Sequence, residues 1–310
     1  MTGAEVLQSR RRPNVNIYYS DPFTFPLPPK HSFPSEKYRM LRARVERWPA
    51  STGVELLLAP RASEDELRLV HDEGYLARFA TGRLGDVEMK RIGFPWSPEL
   101  VERSLRSCGG TVAAARHAAQ AGRAAYLAGG THHARADRGA GYCVYNDCAV
   151  GARVLQREAG VARLLIVDTD VHQGDGTAAI FAGDPDVFTL SVHGDQNFPA
   201  EKARSDLDVA LPTGTGDEAY LDALRAAFAA AVERARPQFV FYLSGADAFV
   251  GDRFGRLSLS KAGLRQRDEL VLGELRRRGL PHVTVMGGGY GKEIADSVDV
   301  YEATVAETAR

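Results

Sequence analysis

Two carboxylates and an imidazole follow one apolar run at alternating positions. Asp168, Asp170 and His172 come directly after the run 164–167, which reads Leu-Leu-Ile-Val. Because successive side chains of a strand point to opposite faces, these three side chains should project together where a buried strand ends. Charged groups removed from water need partners, and a divalent cation is the simplest partner for this cluster. The pattern predicts a metal site, and Asp/His ligand sets with an open position are typical of hydrolytic zinc.

A third ligand is expected from another strand. Asp247 follows the apolar segment 239–243 and the short turn Ser244-Gly245-Ala246. Hydrolytic zinc sites use three protein ligands and leave one position for water. Taken alone, Asp247 would be interpreted as the N-cap of a helix. Beside the Asp170/His172 pair it becomes the natural candidate for the third ligand.

Two adjacent histidines form a second candidate group. His132 and His133 follow a predicted strand and the turn Gly129-Gly130. Neighbouring side chains of an extended backbone point apart, which leaves one imidazole to face a metal-bound water and the other to lie deeper. Each imidazole needs an orienting partner on its second nitrogen. Asp168 and Asp175 are the carboxylates that the metal site leaves over for this purpose.

Two glycine-containing segments complete the set of candidates. Tyr290 lies in the segment 287–291, which reads Gly-Gly-Gly-Tyr-Gly. A phenol there can donate to a developing oxyanion, and an aromatic plug in a flexible loop is the plain alternative. The glycine spacing differs from that of phosphate-binding loops. Gly141-Tyr142-Cys143 is a weaker signal, in which Tyr142 either lines a substrate channel or packs.

The elements that must position these groups alternate along the chain. Strands are predicted at 16–19, 54–58, 125–128, 163–168, 187–192, 239–243 and 282–286, with helical segments between them. One long helix should run from Ser97 to Ala121 with a break at Gly109-Gly110. This alternation indicates a mostly parallel sheet covered on both faces. The candidate groups follow strands, and sites in such sheets gather beyond the carboxyl ends.

Composition limits the class of function. The chain has 310 residues, of which 44% are hydrophobic, and no linker divides it. We therefore expect one catalytic domain over 16–310 and an N-terminal extension over 1–15. A net charge of −1 gives no argument for nucleic acid or an anionic membrane as partner. Charged residues interrupt the Ala-rich segment 111–127, so no membrane insertion is expected. Three cysteines of unmatched spacing fit a reducing, cytoplasmic location.

The candidate segments, in this order, resemble the histone deacetylase superfamily, most of all its class IV branch and their bacterial relatives. The resembling motifs are 129–134, 141–147, 168–176, 244–247 and 287–290, supported by 19–20, 33–38, 95–97 and 251–255. The resemblance runs from about Ile17 to the C-terminus. It implies the arginase/deacetylase fold, a single α/β domain with a central, mostly parallel eight-stranded sheet flanked by helices.

Carried over residue by residue, the resemblance assigns roles to the metal strand and its neighbours. Asp170, His172 and Asp247 become the ligands of one zinc ion. A structural potassium ion is also implied, held near the backbone of the metal strand and the next strand along the chain. The residues matching that potassium position are Asp168, Asp170, His172, Ser191 and Val192.

The resemblance also assigns the catalytic and substrate-binding groups. His133 becomes the general base and acid, paired with Asp175. His132 becomes an electrostatic partner, paired with Asp168. Tyr290 becomes the hydroxyl that polarises the carbonyl, and the channel for the acylated lysine would be lined by Gly141 and Tyr142. The chain departs from the family pattern at Gln173, where many members have a second histidine, and at Asp184, near a second cation site.

The implied activity is zinc-dependent hydrolysis of the amide of Nε-acyl-lysine in proteins or peptides. A metal-bound water attacks, His133 takes its proton and Tyr290 polarises the carbonyl. The class IV likeness extends the expected substrates to long acyl chains. Two alternatives remain: an amidohydrolase acting on acetylpolyamine or another small amide, and a non-catalytic acyl-lysine-binding protein. The loop 21–35 is rich in proline and aromatic residues and is not acidic, which weighs against polyamines. The complete set of catalytic residues weighs against a protein that only binds acyl-lysine.

Overall fold

Eight parallel strands form one sheet in the part of the chain that the structure describes. A computed structural model describes residues 15–310, so the proposed extension over 1–15 lies, except for Val15, outside the described residues. The sheet order is β2-β1-β3-β8-β7-β4-β5-β6, and every neighbouring pair is parallel. The strands are β1 Val15–Tyr19, β2 Val54–Leu58, β3 Arg123–Tyr126, β4 Leu164–Asp168, β5 Val187–Gly194, β6 Leu207–Leu211, β7 Phe239–Ser244 and β8 His282–Met286.

Helices cover the sheet on both faces, which confirms the α/β class and the eight-stranded sheet. The helices are α1 Glu36–Val45, α2 Glu64–Leu67, α3 Glu73–Ala80, α4 Asp86–Ile92, α5 Pro98–Ala121, α6 Asp147–Ala159, α7 Asp175–Ile180, α8 Asp217–Ala235, α9 Lys261–Arg278 and α10 Ile294–Ala309. None of the helices within 15–310 has both the length and the apolar content that a membrane span requires.

The central strands are buried because each of their faces packs against a separate core. In β7, Val240 and Tyr242 belong to the core shared with α8, α9 and α10. The alternate residues Phe239 and Phe241 belong to the core shared with α5 and α6. A strand buried on both faces reads as a continuous apolar run. This is why the sequence pattern identified β4, β7 and β8 correctly.

Two elements were missed in the sequence. Strand β6, Leu207–Leu211, alternates half-buried and exposed residues before the buried Leu211 and lies at one edge of the sheet. Its short, half-polar pattern resembles a loop, so the residues alone indicated seven strands. Helix α4 is also short and polar, with Ile92 as its buried residue, so it gave no clear periodic signal.

The predicted break in the long helix is wrong, because α5 is continuous through Gly109 and Gly110. A Cβ atom at Gly109 would lie 2.2 Å from the carbonyl oxygen of Pro60. One at Gly110 would lie 2.6 Å from the ring of Tyr126. The two glycines therefore serve close packing of α5 against its neighbours rather than ending the helix. The predicted start of the helix is confirmed, since Ser97 is its N-cap and accepts a hydrogen bond from Leu100 N.

A buried ion pair ties α9 to the loops at the carboxyl edge of the sheet. Arg267 is fully buried and donates to the carbonyl oxygen of Gly245 at 2.5 Å and to Asp268 at 2.9 Å. Asp268 in turn accepts from Tyr242 at 2.6 Å and from Thr304 at 2.5 Å. Gly245 lies two residues before Asp247, so this network fixes the backbone that carries a predicted metal ligand.

Removing the arginine should therefore be costly. We expect Arg267→Met to lower the free energy of unfolding by about 3–5 kcal/mol, because Asp268 is left as an uncompensated buried charge. The double variant Arg267→Met/Asp268→Leu should regain part of that loss, since it removes both charges. Urea unfolding followed by circular dichroism measures both values. An unchanged midpoint for Arg267→Met would contradict the role given to the ion pair.

Candidate metal and catalytic site

Four loops bring the candidate residues to one edge of the sheet. They follow β3, β8, β7 and β4, which are consecutive in the sheet order. Because all four strands are parallel, their carboxyl ends lie side by side. The loop after β3 carries His132 and His133, and the loop after β8 carries Tyr290. The sheet thus places together groups that are up to 158 positions apart in the chain.

Asp170, His172 and Asp247 form the tightest group at this edge. Nδ1 of His172 lies 2.9 Å from Asp170 Oδ1 and 3.1 Å from Asp247 Oδ2. One ligand atom from each residue lies within 4.8 Å of the other two. Both carboxylates are buried, whereas the His172 side chain is 12% exposed and lines the cavity that leads to the surface. We call these three residues the trio.

Glycines keep the space around the trio clear of side chains. A Cβ at Gly288 would lie 2.0 Å from Asp247 Oδ2, and one at Gly287 would lie 2.6 Å from Asp170 Oδ2. The same backbone supports the carboxylates, since Gly288 N–H donates to Asp170 Oδ2. These positions of the segment 287–291 are therefore explained by close approach to the trio rather than by flexibility.

The trio carries more negative than positive charge. Burial and the charge of Asp170 raise the pKa of Asp247 to about 7. Burial alone would lower the pKa of His172, but hydrogen bonds to Asp170 and Asp247 raise it to about 10. A protonated His172 thus compensates only part of the charge of the two carboxylates. A divalent cation fits this place, because two carboxylate oxygens and one ring nitrogen are a donor set typical of catalytic zinc and would release that proton.

Two histidine–carboxylate pairs stand beside the trio, as the sequence predicted. Nδ1 of His132 lies 2.6 Å from Asp168 Oδ2, and Nδ1 of His133 lies 2.8 Å from Asp175 Oδ1. The two imidazole centroids are 4.1 Å apart. Asp175 is further held by Arg135, whose Nη2 is 3.0 Å from Asp175 Oδ2. In both pairs Nδ1 faces the carboxylate, which leaves Nε2 on the opposite side of the ring.

Their surroundings drive the pKa values of the two histidines apart. Burial tends to lower the pKa of His132, but the charges of Asp168 and Asp170 raise it to about 9. Burial and the positive charge of His132 lower the pKa of His133 to about 4. At neutral pH the first imidazole is therefore charged and the second is neutral. Such a separation is the usual basis for assigning one group as base and another as electrostatic stabiliser.

Tyr290 is a buried phenol anchored by its own backbone. Its N–H donates to Asp252 at 2.6 Å, and its carbonyl accepts from Arg253 Nε at 2.9 Å. Burial and the charges of Asp170 and Asp247 raise the pKa of Tyr290 well above its ordinary value. The hydroxyl therefore keeps its proton and can act as a donor.

Aromatic rings line the way from the surface to these groups. The Phe198 ring lies 4.8 Å from that of His133, and Tyr142 lies 6.0 Å from Tyr290, measured between centroids. Tyr142 has a positive φ of 66° and its hydroxyl is 2.7 Å from Ser32 Oγ. Gly141 allows His133 to approach, since a Cβ there would lie 2.6 Å from the imidazole Cδ2. Gly141 and Tyr142 are thus part of the channel wall.

An inner cavity of about 80 Å³ continues inward from the trio. It is lined by two buried cations, Lys37 and Arg103, which the sequence did not single out. Nζ of Lys37 donates to the carbonyl of Gly289 at 3.1 Å and lies 5.1 Å from the centroid of the Tyr290 ring. Burial lowers the pKa of Lys37 to about 8. This lysine supports the backbone next to Tyr290 from within.

The remaining sequence predictions concern the neighbouring strand and the two departures. Ser191 lies beside Asp168 in the β4–β5 register, and Val192 follows Ser191 in β5. The potassium site implied for these residues stays a prediction. The side-chain amide of Gln173 donates hydrogen bonds to the carbonyl oxygen of Ala203 and to Asp208 Oδ1, each at 2.8 Å. Asp184 pairs with Arg153 at 2.6 Å. Neither departure reaches the trio.

Several groups of the site gave no interpretable sequence signal. Arg135 lies two residues after His133, so their side chains lie on the same side of an extended backbone. This is the one sequence feature that agrees with the contact between Arg135 and Asp175. Phe198 belongs to none of the motifs that the sequence analysis singles out. The sequence does not distinguish Arg267 from the exposed arginines of α9, because burial of its charge depends on Ser244 at the end of β7 and on the carbonyl of Gly245.

Comparison with known proteins shows the family of the chain. Residues 31–305 match the family model described as histone deacetylase domain. An uncharacterized protein of Picosynechococcus sp. is 42% identical over 286 residues, covering 91% of this chain and 94% of that protein. A histone deacetylase-like amidohydrolase of Pseudomonas aeruginosa is 32% identical, covering 84% and 73%. Histone deacetylase 2 of Arabidopsis thaliana is 30% identical, covering 92% and 78%. With these matches and an eight-stranded parallel sheet that carries the trio at its edge, the chain belongs to the histone deacetylase family.

Proposed function

We propose that the protein hydrolyses the amide between an acyl group and the Nε atom of lysine in a protein or peptide. Zinc would be held by Asp170, His172 and Asp247. The observation that carries the proposal is that Asp170 and His172 of the trio, the imidazoles of both histidine–carboxylate pairs and a buried phenol line one cavity. When bound, zinc supplies a Lewis acid that polarises the amide carbonyl and acidifies water.

His133 acts as the general base and then as the acid. Its Nδ1–H donates to Asp175, so the lone pair of Nε2 is free, and its lowered pKa of about 4 keeps it neutral. Nε2 takes a proton from the attacking water and passes it to the leaving lysine nitrogen. Asp175, held by Arg135, fixes the tautomer and the ring orientation.

Two further groups meet the charge that develops on the carbonyl oxygen. The Tyr290 hydroxyl, kept protonated by its raised pKa, donates a hydrogen bond to that oxygen. His132, whose pKa of about 9 keeps it charged beside Asp168, adds a fixed positive charge. Donors placed in advance where charge appears are commonly the largest catalytic contribution.

The channel walls suit the stem of an acylated lysine. That stem is four methylene groups long and apolar. Tyr142 and Phe198 offer it flat apolar surfaces next to the reacting groups, and Gly141 leaves room for the His133 imidazole. An amide that reaches the trio at the end of this stem would lie next to His133 and Tyr290.

A panel of substrates tests the proposal. We expect the zinc-loaded protein to hydrolyse lysine peptides carrying acetyl, medium-length or long acyl groups, with turnover lost on addition of a chelator and restored by zinc. Mass spectrometry of the released peptides and fatty acids measures each rate. Hydrolysis of acetylspermidine without hydrolysis of any lysine peptide would contradict the substrate class, and turnover by the chelated protein would contradict the metal requirement.

The two kinds of carboxylate should respond differently to the same substitution. Asp170→Asn should lose bound zinc and activity together, because it removes a ligand. Asp175→Asn should keep zinc but lower kcat by about 10²- to 10⁴-fold, the usual size of a general-base contribution. Asp137→Asn is the matched control, since Asp137 is 53% exposed and pairs with Arg138. Equal loss of zinc in Asp170→Asn and Asp175→Asn, measured by elemental analysis, would refute the division of roles.

A further inference from the structure

The outer end of the channel is positively charged. A depression of about 580 Å³ opens onto His133, His172 and Tyr290 and is lined at its rim by Lys90, Arg91 and Arg256. We call this depression the channel mouth. Among the described residues, none of those that line it is acidic. The whole chain has 39 basic and 40 acidic residues, so the basic mouth does not reflect overall composition.

The three rim cations are available to a ligand. Lys90, Arg91 and Arg256 are all exposed. Within residues 15–310, no carboxylate forms an ion pair with any of them, whereas the half-buried Arg78 nearby is paired with Glu88 at 2.9 Å. The position of Lys90 and Arg91 in the last turn of α4 is favourable for that helix end. This accounts for two of the cations but not for Arg256, which lies in a loop.

The cations are attached to two different walls of the channel. The carbonyl oxygens of Arg91 and Ile92 accept from Gly141 N at 3.1 Å and Tyr142 N at 2.7 Å. On the other wall, Arg256 N donates to Asn197 Oδ1 at 3.2 Å, and Asn197 directly precedes Phe198 in the chain. Charges on either side of the opening would therefore flank a chain lying across it.

Exposed aromatic rings adjoin the same rim. Phe198 is 47% exposed and Phe254 is 39% exposed, and both line the channel mouth. The Phe254 ring packs 4.9 Å from that of Tyr290. Large apolar side chains exposed beside a polar rim mark contact sites for a partner chain. Here they lie directly above the candidate catalytic groups.

We propose that the channel mouth selects acyl-lysines flanked by aspartate or glutamate in a peptide segment. The inference rests on the proposed function and specifies its substrate class. Carboxylates on residues next to the acyl-lysine would meet Lys90 and Arg91 on one wall and Arg256 on the other. A polyamine, which carries positive charges along its length, would be repelled by the same three groups.

Peptides that differ only in flanking charge test this proposal. Three peptides of one length would carry the same acyl-lysine between acidic, neutral amide or basic neighbours, assayed with the zinc-loaded protein at low and high salt. Exposed ion pairs are individually weak, so we expect kcat/KM for the acidic peptide to exceed that for the neutral one about 10-fold at low salt. The difference should lie in KM and shrink at high salt, because salt screens exposed charges.

Charge reversal at the rim provides the second arm. Lys90→Glu/Arg256→Glu should abolish or invert the preference for the acidic peptide. Arg225→Glu/Arg277→Glu is the matched control, because it reverses two exposed arginines on α8 and α9, and it should keep the preference.

The outcomes separate this proposal from the function on which it rests. Equal kcat/KM for all three peptides, or a preference that survives charge reversal at the rim, would overturn the acidic-substrate proposal while leaving lysine deacylation in place. If none of the three peptides is hydrolysed but acetylspermidine is, both the proposed function and the specificity of the channel mouth are refuted.

Discussion

Two carboxylates share one imidazole at the buried edge of the sheet, and the rest of the structure accommodates their charge. Asp170 and Asp247 are removed from water and repel each other, so they need a positive charge between them. His172 supplies this positive charge as an imidazolium, and a bound divalent cation would neutralise the two carboxylates more completely. Folding therefore buries negative charge at the trio, and a bound metal cation would neutralise that charge.

The elements around the trio bring its charged groups together and hold them in place. Parallel strands bring β4 and β7 side by side, so ligands from distant parts of the chain meet without strain. Gly287 and Gly288 let the β8 loop approach the carboxylates, and the guanidinium of Arg267 holds the β7 loop by the carbonyl of Gly245. Metal ligands are only as well placed as the groups that orient them.

Most of the fold and the location of the site could be predicted from the sequence, for a physical reason. Strands buried on both faces have continuous apolar runs, and charged residues directly after such runs have few structural explanations. Features that depend on partners far along the chain could not be predicted. Strand β6 is a half-polar edge, and the glycines of α5 serve packing against Pro60 and Tyr126. The burial of Arg267 requires Asp268 and the carbonyl of Gly245 as partners. The separation of the pKa values of His132 and His133 likewise depends on distances that spacing does not contain.

The position of the bound metal tests the account most directly. Crystals of the zinc-loaded protein, measured on both sides of the zinc absorption edge, would locate the ion without assumption. We predict one zinc ion per chain, within about 2.0–2.2 Å of Nδ1 of His172 and of one carboxylate oxygen each from Asp170 and Asp247. His132 and His133 should remain hydrogen-bonded to Asp168 and Asp175. An ion bound by either of these histidines, or no ordered zinc at the trio, would contradict the account.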